Sequence, residues 1–274
     1  MCWGANFNGQ LGDGTFSSSS IVRPVSIAGT PTDMSLGPNF SCALVAGNAA
    51  CWGASDGTTP VDASNGLVGL RGISRGNNHT CAIQSDHSVV CWGDNSFGQL
   101  GRGDTNPPAS ATEIIATGIT DAEQIYAQAH STCAVLTDGS VRCWGKNFSG
   151  WLGVNMGQVV VSPAPVAGLG GVAQLSFRST TDETGICARK SDGTVACWGA
   201  NNFGQVGDGT FAQRNNAVLV GGLTGVVDLA AGTNHTCAAK EDGTVACWGS
   251  AVSGQLGDGV RASPSPANAR MTCP

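Results

Sequence analysis

The stretch that decides the fold runs Val226-Val227-Asp228-Leu229-Ala230-Ala231-Gly232, His235-Thr236-Cys237-Ala238, Asp242-Gly243-Thr244-Val245-Ala246-Cys247-Trp248-Gly249 and Gly254-Gln255-Leu256-Gly257-Asp258-Gly259. Short alternating apolar runs lie between glycine-rich turns, and no run has the length or the period of a helix. Working outward, Cys-Trp-Gly recurs at Cys2, Cys51, Cys91, Cys143, Cys197 and Cys247, separated by 49, 40, 52, 54 and 50 residues. Self-similarity at such intervals marks a repeat architecture, and short strands in each copy make it an all-β one.

Cysteine spacing refines this. If Glu241-Asp242-Gly243 is a three-residue hairpin loop with Gly243 left-handed, Lys240 faces Thr244 and Cys237 faces Cys247. The same count pairs Cys133 with Cys143, Cys187 with Cys197, and Cys81 with Cys91, where His87 takes the glycine position at positive φ. Cys42 and Cys51 are one residue closer, and a two-residue loop at Ala46-Gly47 again sets them opposite. Facing Cα atoms lie about 4.5 to 5.5 Å apart, within disulfide reach. Five cross-strand disulfides are expected, each contributing about 2 to 3 kcal/mol in the chain-entropy model. Zinc is disfavoured, because metal-binding pairs sit two to four residues apart and these pairs span a strand-turn-strand pattern.

Cys2 and Cys273 are left over and read as one split hairpin whose pairing would close a ring. The count then gives a single domain over 1–274 with six blades, five complete and one split between the termini. A truncated member of a seven-bladed family is the alternative, because the intervals Cys247 to Cys273 and Cys51 to Cys81 are short, and the second lacks a Gly-Gln-Leu-Gly segment.

Gly appears 41 times, about twice the usual share of roughly 7%, without a Gly-X-Y period, which favours a turn-rich β protein over collagen. The net charge of −6 and the absence of any Lys/Arg-rich run remove the footprint of a nucleic-acid binder, and no apolar run is long enough to insert in a membrane. Twelve cysteines in regular pairs point to an oxidising compartment, so an extracellular, periplasmic or cell-surface location is expected. Met1 leads straight into Cys2-Trp3-Gly4 without a signal peptide, and the sequence is read as a mature or excised segment of an exported protein.

At Ala231-Gly232-Thr233-Asn234-His235-Thr236, Trp92-Gly93-Asp94-Asn95 and Gly98-Gln99-Leu100-Gly101 the chain resembles the regulator-of-chromosome-condensation repeat family, over nearly its whole length. The resemblance implies a β-propeller. Known members include a nuclear exchange factor, a plant ultraviolet photoreceptor and a secreted bacterial β-lactamase inhibitor, so it does not carry one function. The paired cysteines fit the secreted members best. Six of the seven tryptophans are the repeated Trp3, Trp52, Trp92, Trp144, Trp198 and Trp248, read as packing residues.

His79, His130 and His235 precede hairpin cysteines and could face an axis, but Phe40 and Gly185 break the set, and structural hydrogen bonding is favoured over ligation. No nucleophile elbow, metalloprotease helix or phosphate loop is present, so no catalytic residue, metal or cofactor is assigned. Phe7, Phe97, Phe148 and Phe203 recur in the loops after Cys-Trp-Gly, either as rim contacts or as residues tucked under each blade. Trp151 stands where other copies carry Gln10, Gln99, Gln205 and Gln255, a departure from the internal rule that marks a private binding feature. The expected function is a monomeric binding module that recognises a protein or glycan through rim loops. A structural or adhesive spacer is the second reading, and a hydrolase or lyase with an axial site the third.

Overall fold

Each Asp-Gly turn folds its flanking residues into a hairpin, and the sheets grow outward from these hairpins. The computed structural model describes residues 1–37, 39–54, 56–64, 66–179, 184–257 and 262–268. At the turn after Lys240, Gly243 takes a φ of 80°, and the Lys240 N–H donates to the Thr244 carbonyl at 2.9 Å. Asp242 closes the turn by accepting from the Thr244 N–H and hydroxyl, as an Asx turn does. His87 holds φ at 67° and Ala46-Gly47 forms the two-residue loop, so hairpin length follows cysteine spacing in each case. All five expected disulfides form, with Cα–Cα distances of 4.1 Å, shorter than the expected spacing and nearest that of a non-hydrogen-bonded antiparallel pair.

Strands β1 (Cys2–Gly4) and β2 (Ser19–Arg23) form a two-stranded sheet. Five four-stranded sheets follow. They comprise β3 (Pro31–Leu36), β4 (Phe40–Val45), β5 (Asn48–Gly53) and β6 (Gly57–Asp62), then β7 (Gly72–Arg75), β8 (His79–Ile83), β9 (Val89–Asp94) and β10 (Ala109–Ile115). Next come β11 (Ala122–Gln128), β12 (Ser131–Leu136), β13 (Val141–Lys146) and β14 (Val159–Pro165), and then β15 (Val172–Ser179), β16 (Thr184–Lys190), β17 (Val195–Gly199) and β18 (Arg214–Leu219). The last holds β19 (Val226–Ala231), β20 (His235–Lys240), β21 (Val245–Ser250) and β22 (Ala262–Asn268). Each four-stranded sheet is a meander in chain order, the form of a propeller blade. The short Cys51 to Cys81 interval costs this repeat its loop and not a strand, since β6 starts within a few residues of β5.

Two compact units emerge, Met1–Thr132 and Cys133–Pro274. In the second, the Cys187–Cys197 disulfide packs with Val206, Val226, Leu229 and Trp248 in a buried cluster shared by consecutive sheets. In the first, Cys42 and Cys51 pack with Leu70, Ile73 and Val90 in the same way. These two disulfides therefore belong to the inter-sheet core and do not merely clip its edge. Trp52, Trp144, Trp198 and Trp248 are buried as expected, and Trp92 is half-buried. Trp3 differs, at 65% exposed, on the β1–β2 sheet. Cys273 lies outside the described residues, so the Cys2–Cys273 pairing does too.

Candidate functional site

The loops after the Cys-Trp-Gly strands are built on one buried asparagine each: Asn6, Asn95, Asn147 and Asn201. Its Oδ1 accepts the N–H five residues on, at 2.8 Å from Leu11, 3.1 Å from Leu100, 2.9 Å from Leu152 and 2.8 Å from Val206. Its Nδ2 donates across the loop, for instance from Asn201 to the carbonyls of Thr210 and Ala212 at 3.0 and 2.9 Å. A buried amide that bonds at both ends fixes a loop that has no strand of its own. In the last copy Ala251 takes this place.

Glutamine supplies the second constraint. The Oε1 atoms of Gln10, Gln99, Gln205 and Gln255 accept the N–H two residues earlier, from Asn8, Phe97, Phe203 and Ser253. The glutamine carbonyl then faces the next sheet. Gln10 O accepts from the Ser41 hydroxyl and Trp52 Nε1, both at 2.9 Å, while Gln205 O accepts from the Thr236 hydroxyl at 3.3 Å and Trp248 Nε1 at 3.0 Å. The residue before the first hairpin cysteine and the tryptophan after the second thus share one acceptor. Gly12, Gly153 and Gly207 let the indoles in, for a Cβ there would stand 2.6 to 2.7 Å from Nε1 of Trp52, Trp198 or Trp248.

The loop phenylalanines occupy two positions. Phe7 and Phe148 follow the asparagine directly, whereas Phe97 and Phe203 stand one residue later and donate their N–H to glutamine. Phe7 is 79% exposed and Phe203 38%. Phe97 is half-buried with its ring centroid 5.2 Å from that of His130, and Phe148 is half-buried under Lys146 Nζ at 4.7 Å.

Trp151 offers no side-chain acceptor to the N–H two residues earlier, and Phe148–Gly150 is a single 3-10 turn in which Gly150 N–H donates to the Asn147 carbonyl at 3.0 Å, the backbone bond that the glutamine loops also make. The indole N–H groups of Trp151 and Trp198 are both buried without a hydrogen-bond partner among the described residues, although Trp52 and Trp248, the counterparts of Trp198, each reach a glutamine carbonyl.

The histidine positions obey a volume rule that residue type alone concealed. Gly37 faces Phe40, Gly76 faces His79 and Gly232 faces His235, the glycine leaving room for the ring. In the fourth case the pair is reversed, and Arg178 faces Gly185. Arg178 is buried, donates from Nη1 to the Thr236 hydroxyl at 3.0 Å and to Gln205 O, and has no carboxylate partner among the described residues. Burial pushes its pKa down to about 9, so it remains charged at neutral pH. His79 makes the matching contact, Nε2 to Thr132 Oγ1 at 2.9 Å. The Thr132 proton goes to Gln99 O, so the imidazole donates and Nε2 carries its proton. Burial pushes His79 down to about 3 and keeps it neutral. His79 is thus a buried neutral hydrogen-bond donor. The cross-strand glycines were the signal that would have found Arg178.

Blades of this form, tied by loop carbonyls and hairpin disulfides, define an RCC1-like β-propeller fold. Two family models, each described as the regulator of chromosome condensation (RCC1) repeat, match residues 71–99, 129–150 and 226–255, and residues 2–44 and 192–239. Together they cover more than half of the chain, which belongs to the RCC1 repeat family. Among curated proteins it is 29% identical over 256 residues to the mouse (Mus musculus) E3 ubiquitin-protein ligase HERC2, covering 85% of this chain and 5% of that protein. Human WBSCR16 superposes with a TM-score of 0.80 at 20% identity, covering 97% of this chain and 78% of the other. Prp20p from Saccharomyces cerevisiae gives a TM-score of 0.79 at 20% identity, covering 99% and 74%.

Proposed function

We propose that this chain is a protein-binding module of an exported or cell-surface protein, and that the loops after Cys-Trp-Gly make the contacts. Trp151 carries the reading. The four other loops that carry this position spend it on a glutamine that bonds its own loop, whereas here a large aromatic residue is half-exposed and leaves a buried donor unmatched. Aromatic anchors dominate binding energy at protein interfaces, and departures from an internal rule concentrate at functional positions. Phe148 stands in the same loop as Trp151 and Phe203 in the loop after the next Cys-Trp-Gly, with Phe7 and Phe97 in such loops of the first unit.

A protein is the favoured partner over a glycan because Prp20p, of the same fold, has binding properties to Gsp1p and histones. The ligase activity in the name of HERC2 belongs to a protein of which the chain matches 5%. Five disulfides support an oxidising compartment, since reduced cytosol would keep such thiols open.

The test is capture of extracellular extract by the wild type and by a Phe97→Ala, Phe148→Ala, Trp151→Ala, Phe203→Ala variant of unchanged circular dichroism. Loss of specific bands supports the reading. Unchanged capture sinks it in favour of a rigid spacer.

A further inference from the structure

A polar cleft of about 420 Å³ opens in the first unit where β3, β7 and β11 meet, away from the loops described above. Its size is within the range of small-molecule sites, but its walls carry fixed charge of both signs. Asp33 is held by two backbone donors, the N–H of Met34 and that of Ile73, each at 2.9 Å. Glu123 is half-exposed at the same cleft, with Gln124 and Tyr126 beside it.

The positive charge is Arg71, and the structure shows how it is aimed. Arg71 Nη1 lies 2.8 Å from His87 Nε2, and His87 Nδ1 lies 3.0 Å from the Ala122 carbonyl. A carbonyl and a guanidinium leave one solution: Nδ1 carries the proton and donates to Ala122, while Nε2 accepts from Arg71. His87 therefore does work at its hairpin turn that the glycine of other copies could not, which accounts for a histidine at positive φ. It props an otherwise exposed guanidinium, whose remaining N–H groups form a fork suited to a carboxylate.

The cleft sets Arg71 against Glu123 and the twice-bonded Asp33, so a ligand carrying both an anionic and a cationic group matches its charges. We infer that the cleft binds a small zwitterion of amino-acid or dipeptide size, its carboxylate on Arg71 and its ammonium on the Asp33 and Glu123 side. This site is independent of the rim-loop reading and shares no residue with it.

Calorimetry on the purified chain tests it with alanyl-alanine, its N-acetyl form, its C-terminal amide, and glucose. Alanyl-alanine should bind, and each blocked form should bind on the order of tenfold more weakly for the loss of one charge-assisted contact. Arg71→Gln should weaken alanyl-alanine by a similar factor while leaving the amide unaffected, and Glu123→Gln should do the same with respect to the acetyl form. Both side chains are exposed enough that the fold, checked by circular dichroism, should not change. No heat with alanyl-alanine, equal binding of the blocked forms, or a response to glucose alone would overturn the assignment.

Discussion

Two loops of the second unit share an asparagine clamp and two glycines and differ at the residue that would join the next sheet. In 201–207 the asparagine clamp is joined by Gln205, whose Oε1 takes the Phe203 N–H at 2.8 Å and whose carbonyl serves Thr236, Trp248 and Arg178. In 147–153 the clamp is equally complete, but Trp151 replaces glutamine and the indole of Trp198 finds no acceptor. The first loop has become an inter-sheet joint. The second keeps the joint's shape while leaving two buried donors unmatched, each at a cost of about 1 to 3 kcal/mol. Stability is thus withheld at the loop that departs from the repeat, where a packed joint gives way to a half-exposed aromatic residue.

The largest effect should come from breaking the joint at its most loaded point. Arg178→Gly empties a buried space and strips donors from Gln205 O and Thr236, and should cost about 3 kcal/mol or more by denaturant unfolding. Gly185→His alone should also destabilise, because a Cβ there would stand 2.7 Å from Arg178 Nε. Combined, the two restore the glycine-histidine arrangement found at Gly76 and His79, and the double-mutant cycle should recover more than half of the summed loss. Additive losses would show that the volume rule is an accident of these four pairs.

A smaller effect should separate the two loops at their final glycines. Gly207→Ala and Gly153→Ala both place a methyl against an indole at positive φ, of 80° and 75°. Overpacking of this kind costs about 1 to 3 kcal/mol. Gly207→Ala should be the worse of the two because it also displaces Trp248 from Gln205 O, whereas Trp198 has no such bond to lose. Equal midpoint shifts would remove the difference on which the comparison stands. Smaller again, Trp248→Phe should cost about 1 kcal/mol more than Trp198→Phe, the worth of one hydrogen bond.

Hairpins, disulfides and the left-handed His87 were legible in the sequence because they depend on counting residues between covalently marked positions. Trp151 was legible as a departure for the same reason. The inter-sheet joint was not, since Gln10 O meets Trp52, and Gln205 O meets Trp248, across about forty residues through a backbone atom that no side-chain pattern reports. Arg178 escaped notice because the repeat was aligned on the histidine position, and a side chain delivered from the facing strand leaves only a glycine there.

The smallest change in stability should be the most informative about function. Trp151→Gln gives the deviant loop its sisters' residue, with an Oε1 placed to accept the N–H at Ser149 as Gln205 accepts that of Phe203. One unmatched buried donor disappears with the Trp151 indole, and the loop is freed to adopt the geometry in which Trp198 reaches the carbonyl of residue 151. Unfolding free energy should rise by about 0.5 to 1 kcal/mol. If Trp151 is a contact residue, partner capture should fall in the same variant, so that stability and binding move in opposite directions. A spacer or packing role predicts otherwise: removing a packed indole would lower stability and leave capture unchanged. The sign of the stability change therefore tests the loop comparison, and capture by the same purified variant tests the binding role, with neither result entailing the other.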